Sequence, residues 1–288
     1  MRHEARMHAE SGEWRRRFAE EARSERPGLA LLCLLIGAEA DPSLDEAGID
    51  AAEIELDRLA CLLPFRPGGP RAWAAAMAEL LGGQCGFEGT PGDYQRLESS
   101  LLHQVLRRRR GLPILLSVVW MEVARRAGAP VYGVALPGHF VVGFGPRDEQ
   151  VLADPFDGGR LLTGQDAELL VAGTAGTGIQ PSMLTPADPL NIVQRILNNI
   201  RAWAAARPER SEVALWALDL SLLLPAHPAR LRYERAQLLV QRGDFLGGAA
   251  ELDEYADVVT AVEPTTAERV PPARSPRPSR SPAGSRRP

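Results

Sequence analysis

Residues 136–159 read LPGHFVVGFGPRDEQVLADPFDGG, and this stretch decides the fold class. HFVVGF (139–144) and EQVLAD (149–154) are short β-rich runs separated by the turn formers GPRD. With VYGVALP (131–137) ahead of them, they predict an antiparallel meander. If the two runs pair across a four-residue turn at 145–148, His139 stands directly opposite Asp154. Opposed side chains share one face with Cβ atoms about 4.5–5.5 Å apart, near enough for an imidazole–carboxylate hydrogen bond. Such a carboxylate fixes the imidazole tautomer and raises its basicity. That is the base and orienting half of a nucleophilic triad. Gly138 before the histidine and Pro155 after the aspartate constrain the backbone on both sides. The same two residues in a meander also serve as a plain structural pair, so the third group decides.

The stretch ahead of the meander is helical. GLPILLSVVWMEVARRAG (111–128) is apolar nearly all round as far as Glu122, which predicts a buried central helix opened by Pro113 and closed at Gly128. YQRLESSLLHQVLRRRR (94–110) reads as one helix whose four closing arginines complement the negative dipole end, with Gly111 as the stop. Those arginines read as a solvated helix end, with phosphate or an acidic partner as the other option. DPSLDEAGIDAAEIELDRLACLL (41–63) predicts a helix capped by Asp41 or Ser43, with Ile54, Leu56, Leu59 and Leu62 as its apolar stripe. Another helix is expected from about Arg71 to Leu81, followed by a loop over GGQCGFEGTPGDY. Residues 1–26 are charge-dense and read as an exposed or frayed helix. Helix–turn segments with a flexible AGTAGTG stretch (172–178) are expected after DPFDGG.

From Asn191 onward the pattern is all helix. AWAAARPERSEVALWALDL and AQLLVQRGDFLGGAAELDEY align with Ala202 on Ala236 and Leu218 on Leu252, an offset of 34 residues. That is the length of a tetratricopeptide unit. Two copies are too few to stand alone, so the repeats are expected to pack on what precedes them. The tail after about Pro264 is rich in proline, serine and arginine and is expected to be disordered.

Composition narrows the chemistry. The chain has 288 residues, a net charge of -4 and a pI near 5.8, so no global basic field favours nucleic acid. The tail arginines (Arg269, Arg274, Arg277, Arg280, Arg286, Arg287) read as a solubilising terminus rather than a nucleic-acid contact. All 33 basic residues are arginine, which removes lysine Schiff-base chemistry and a lysine-bearing phosphate loop. Cys33, Cys61 and Cys85 lie far apart, without a CxxC pair, arguing against a disulfide framework or structural zinc. Cys33 and Cys61 read as core. His139 and Asp154 make two metal ligands where zinc needs three or four, so no metal and no cofactor is expected. The longest apolar run, Leu29–Ala38, is half the length of a membrane helix, and a cytoplasmic location is expected.

Taken together, RRRRGLPILLSVVWMEVARRAGAPVYGVALPGHFVV, VLADPFDGGRLL and ILNNIRAWAA resemble the transglutaminase-like superfamily, and specifically its SirB-type branch of bacterial proteins. The resemblance implies an α+β, papain-like fold: a helical lobe against a small antiparallel sheet, followed by tetratricopeptide-like helices. The resemblance covers about residues 28–258, and the boundaries expected are a charged extension at 1–26, a transglutaminase-like domain at 27–188, repeats at 189–260 and the tail at 261–288. In that superfamily a cysteine opens the central helix, and the histidine and aspartate match His139 and Asp154. The cysteine position falls on Pro113, which has no nucleophile, as do its neighbours Leu112 and Ile114. The RRRGxP string belongs to the branch, so the loss looks like a branch feature.

Two substitutes remain. Ser117 lies one turn further along, and otherwise reads as a buried serine bonded to the carbonyl four residues back. Cys85, in GGQCGF, otherwise reads as a small packed side chain. The sequence therefore favours a non-catalytic protein acting through a protein or peptide partner, bound by the repeats or the cleft, with no membrane role. The alternative is a cysteine- or serine-dependent hydrolase or acyl-transferase using His139 and Asp154. A regulatory accessory protein with no use for the cleft is the third class.

Overall fold

Every residue from Pro113 to Ala124 is buried, and the rest of the domain is built around the helix they form. Its apolar sequence accounts for the all-round burial, and Pro113 suits the first turn, where its missing amide hydrogen would have had no partner. The structure, a computed structural model, describes residues 2–64, 68–175, 178 and 180–262. The chain divides into a unit spanning Met1–His227 and a second beginning at Pro228.

The first unit contains α1 (Arg2–Ala22), α2 (Leu29–Ala40), α3 (Glu46–Cys61), α4 (Pro70–Met77), α5 (Leu102–Arg108), α6 (Pro113–Arg126), α7 (Gly164–Ala175), α8 (Pro189–Ala205) and α9 (Ser211–Leu223). Between α6 and α7 lie β1 (Val131–Val134), β2 (Val141–Phe144), β3 (Val151–Asp154) and β4 (Arg160–Leu162). They form one antiparallel sheet in the order β1-β2-β3-β4. This is the α+β arrangement expected, with β4, the RLL after DPFDGG, added to the three strands read from sequence.

The register differs from the expectation. Val142 pairs with Ala153 and Phe144 with Val151, which brings Val141 rather than His139 level with Asp154. The connection is the cause: a 3-10 turn at Arg147–Glu149 takes Glu149 and Gln150 out of the strand, so the link is longer than four residues. The slip is by two residues, and an even slip keeps each side chain on its original face. His139 and Asp154 still meet.

Several helical expectations are also corrected. The charged opening is docked, not frayed: Phe18 and Ala22 are buried, and Arg15 pairs with Glu39 at 2.5 Å and Asp219 at 2.8 Å. The cap of α3 is Asp45, whose carboxylate accepts from the Gly48 amide at 2.9 Å. The buried stripe of α3 accordingly runs through Ile49, Ala52, Leu56 and Leu59, while Ile54, Leu62 and Cys61 are exposed. Cys33 is buried as expected, and burial pushes its thiol pKa up. The helix expected from Arg71 continues past Met77 as a π-helix over Ala78–Gln84, so the GGQ of the expected loop is helical.

Residues 94–110 do not make one helix. Two 3-10 turns, Pro91–Gln95 and Leu97–Ser100, precede α5. Buried Asp93 organises them by accepting from the Thr90 amide and hydroxyl, both at 2.9 Å, and from the Ser99 hydroxyl at 3.0 Å. The α5 helix then stops at Arg108 with Arg109 in the left-handed region (φ +58°), ahead of Gly111. Nor is the arginine run a solvated end. Arg108 approaches Asp93 at 3.6 Å, Arg109 holds Glu55 at 2.6 Å and Arg110 holds Glu88 at 2.7 Å. The AGTAGTG stretch is helical through Ala175, and residues 176–177 lie outside the described residues.

In the second unit, α10 (Arg230–Gln241) and α11 (Phe245–Val262) pack against each other. Gly243 turns between them at φ +87°, and the Asp244 carboxylate accepts from the Gly247 amide at 2.8 Å. Arg235 pairs with Glu251 at 2.8 Å across the two helices. The proline- and arginine-rich tail lies outside the described residues.

Candidate functional site

His139 follows a tight turn at Pro137–Gly138, where Gly138 adopts φ +69°, a conformation that suits glycine. Asp154 closes β3 and caps the 3-10 turn Pro155–Asp157, with Pro155 in its first position. The sequence DPF thus fixes the carboxylate: Oδ1 accepts from the Phe156 amide at 3.0 Å, and Oδ2 lies 2.9 Å from His139 Nε2. An ionised carboxylate only accepts, so Nε2 carries the proton and Nδ1 is left as the basic nitrogen. The Asp154 side chain is 5% exposed and that of His139 12%. Phe156 stands edge-on to the imidazole, ring centres 6.0 Å apart at 87°, and limits its tilt.

A residue that sequence reasoning missed holds this loop. Arg195, from α8, donates through Nη2 to the carbonyl oxygens of Leu136 and His139, both at 2.7 Å, and its guanidinium lies 5.7 Å from the Phe140 ring centre. Hydrogen bonds from a charged donor are the stronger kind. Burial lowers the Arg195 pKa from its ordinary value. A cationic residue four positions ahead of Asn199 on one helix face was the available signal, but nothing in the sequence said which loop that face would meet.

Beside His139 is a hollow of about 100 Å³, walled by Tyr94, Leu112, Pro113, Ile114, Gly138, Phe140, Arg195 and Asn199. Pro113 and His139 are therefore brought together, at the first turn of α6. Tyr94 lies near the pair: burial raises its pKa, and the Asp154 charge adds to the rise. Ser117 and Cys85 are placed elsewhere. Ser117 is fully buried and its hydroxyl donates to the Phe140 carbonyl at 3.4 Å, not to the carbonyl four residues back. Cys85 follows the π-helix, half-buried against the core, and does not wall the hollow. Among the described residues no three His, Cys, Asp or Glu side chains converge as a metal site would need.

With an α-helix opening opposite a histidine–aspartate pair on a small antiparallel sheet, the arrangement has a known kind. The transglutaminase-like superfamily profile matches residues 50–198, just over half of the sequence, and the chain belongs to that superfamily. A tetratricopeptide repeat profile matches residues 200–271. The chain is similar to a UPF0162 protein of Xylella fastidiosa, 34% identical over 186 residues, covering 63% of this chain and 66% of that protein. A UPF0162 protein of Pseudomonas aeruginosa is 39% identical over 112 residues, covering 38% and 41%. Human F-box only protein 21 is 27% identical over 165 residues, covering 54% of this chain and 26% of that one. The match spans just under two thirds of the Xylella protein. Among the described residues no helix is long and apolar enough to cross a membrane.

Proposed function

We propose that this chain is a non-catalytic, SirB-type transglutaminase-like protein of the cytoplasm that binds a protein or peptide partner through its cleft or its helical repeats. The domain divisions at 27–188 and 189–260 are part of this reading. One observation carries it: the hollow beside His139 meets Pro113 at the start of α6, and its walls bring no thiol or aliphatic hydroxyl to the ring among the described residues. The superfamily's thiolate depends on that helix start, where the dipole lowers its pKa. Without it, the His139–Asp154 pair has no thiol to deprotonate at that helix start. The tetratricopeptide segment supports the binding role, since stacked helix pairs build partner surfaces.

The intact dyad favours the alternative, a hydrolase or acyl-transferase using Cys85 or Ser117. Labelling the full chain with iodoacetamide and with a fluorophosphonate, read by mass spectrometry, separates the two. Labelling that is unchanged by His139→Ala is expected. An adduct on Cys85 or Ser117 that requires His139 overturns the non-catalytic reading.

A further inference from the structure

A second hollow adjoins the one beside His139. Tyr94, Leu112 and Asn199 wall both, and the second, of about 280 Å³, runs along α8 past Trp203 to Arg96 and Arg207. The two sizes together are near the lower end of the roughly 300–1,000 Å³ of small-ligand sites. Neither wall contains a carboxylate, while three arginines line them.

Many arginines of the same unit are neutralised by acidic side chains, though Arg23 and Arg107, like Arg195 and Arg207, bond neutral acceptors. Arg15, Arg109, Arg110, Arg125, Arg126 and Arg160 all pair with carboxylates. Arg195 instead donates to two backbone carbonyls, and Arg207 donates to the carbonyls of Trp203 and Gln95 and to the Gln95 side chain. For Arg96, Arg195 and Arg207 the described residues provide no carboxylate partner. A neutral acceptor satisfies a guanidinium's hydrogen bonds and leaves its charge uncompensated. Trp203, which also walls the second hollow, has its indole Nε1 buried without a hydrogen-bond partner, and its ring centre lies 4.4 Å from the Arg207 guanidinium. Buried donors of this kind are rarely left unpaired.

We propose that the groove from His139 to Arg207 binds an acidic peptide segment, with one carboxylate at Arg195 and a second at Arg96 and Arg207. This rests on the peptide-binding reading above and names its ligand chemistry. The Asp154 carboxylate faces His139 and the Phe156 amide and is not part of either wall.

Fluorescence anisotropy on the full chain tests the assignment, with a fluorescein-labelled pentapeptide of alternating glutamate and alanine and its glutamine counterpart. The glutamate peptide is expected to bind at least tenfold more tightly, and to weaken as salt screens the arginines. Arg96→Gln with Arg207→Gln, on the groove rim, is expected to remove that advantage. Arg230→Gln in the second unit is expected to leave it intact. Amidating the carboxyl terminus shows which carboxylate is read: loss assigns the terminal one, retention the side chains. Equal binding of both peptides, no binding of the glutamate peptide, or a preference that survives the double substitution overturns the proposal. The failure would be separable from that of the non-catalytic reading, which depends on the His139-dependent adduct and not on peptide charge.

Discussion

Among the described residues of the first unit two histidine–aspartate pairs stand out, and they serve different ends. His139 Nε2 is 2.9 Å from Asp154 Oδ2, with the carboxylate 5% exposed; His103 Nε2 is 3.2 Å from Asp41 Oδ2, with the carboxylate 27% exposed. Their second nitrogens separate them. Nδ1 of His103 is buried without a partner against Gly37, where a Cβ would lie 2.5 Å from it. The His139 ring instead walls a hollow that opens on a helix start. Burial lowers the His103 pKa despite Asp41, consistent with a neutral ring that packs. Burial would raise the Asp41 carboxyl, but Ser43 and then His103 outweigh it and hold its pKa at about 2. A carboxylate–imidazole contact is therefore not a site by itself; what the far nitrogen meets decides its use.

The contrast can be broken most directly at the two carboxylates. Asp154→Ala strands a buried amide and imidazole and should lower stability by about 2–3 kcal/mol, whereas Asp41→Ala, at a more exposed carboxylate that leaves the His103 ring unpaired, should lower it by about 1–2 kcal/mol. Urea midpoints compare them, and equal losses would mean that the pairs are equivalent. Next in size, Gly37→Ala should cost about 1–2 kcal/mol by pushing the His103 ring out of place. A neutral effect in the same assay would show that the ring has room to move.

Installing the missing group sharpens the comparison from the other side. Pro113→Cys puts a thiol at a helix N-terminus beside His139, where its pKa should fall below the usual value of about 8.5. Its alkylation by iodoacetamide at pH 6.5 should exceed that of exposed Cys61 by about tenfold and collapse in the His139→Ala background. An equal rate at both positions would show that the dyad no longer serves a nucleophile.

The smallest effect is in acid. The folded pKa of His103 is depressed, so the unfolded chain binds its proton first, and the stability it contributes above its unfolded pKa is lost as pH falls below about 6.5. Asp41, also depressed, adds a loss only below about pH 4. Thermal midpoints should therefore fall between pH 7 and pH 5, and fall less in His103→Gln. An unchanged slope would assign the acid sensitivity to another group.

Much of this was readable from the chain. The meander, the buried α6 and the His139–Asp154 contact follow from alternation, an apolar run and short turn signals. The contact survived an error in register because parity, not the exact partner, decides which face a strand residue takes. What misled was local. Buried Asp93 makes two 3-10 turns of an apparent helix, and Arg109 enters the left-handed region ahead of the glycine that should have ended it. The first is held by side-chain bonds to Thr90 and Ser99 and the second by distant Glu55, and periodicity shows neither. Arg195 was invisible for the same reason: its acceptors are carbonyls of a distant loop, and every residue has a carbonyl.

The helix that carries Arg195 has a double allegiance. The superfamily match runs to residue 198 and the repeat match starts at 200, both within Pro189–Ala205. Each residue of an α-helix advances by about 100°, so one residue inserted or deleted between Arg195 and Trp203 would swing everything downstream by more than a quarter turn. Surface loops tolerate such changes readily. Here descent should have frozen the spacing, letting the two segments diverge in residue type while their phase stays locked.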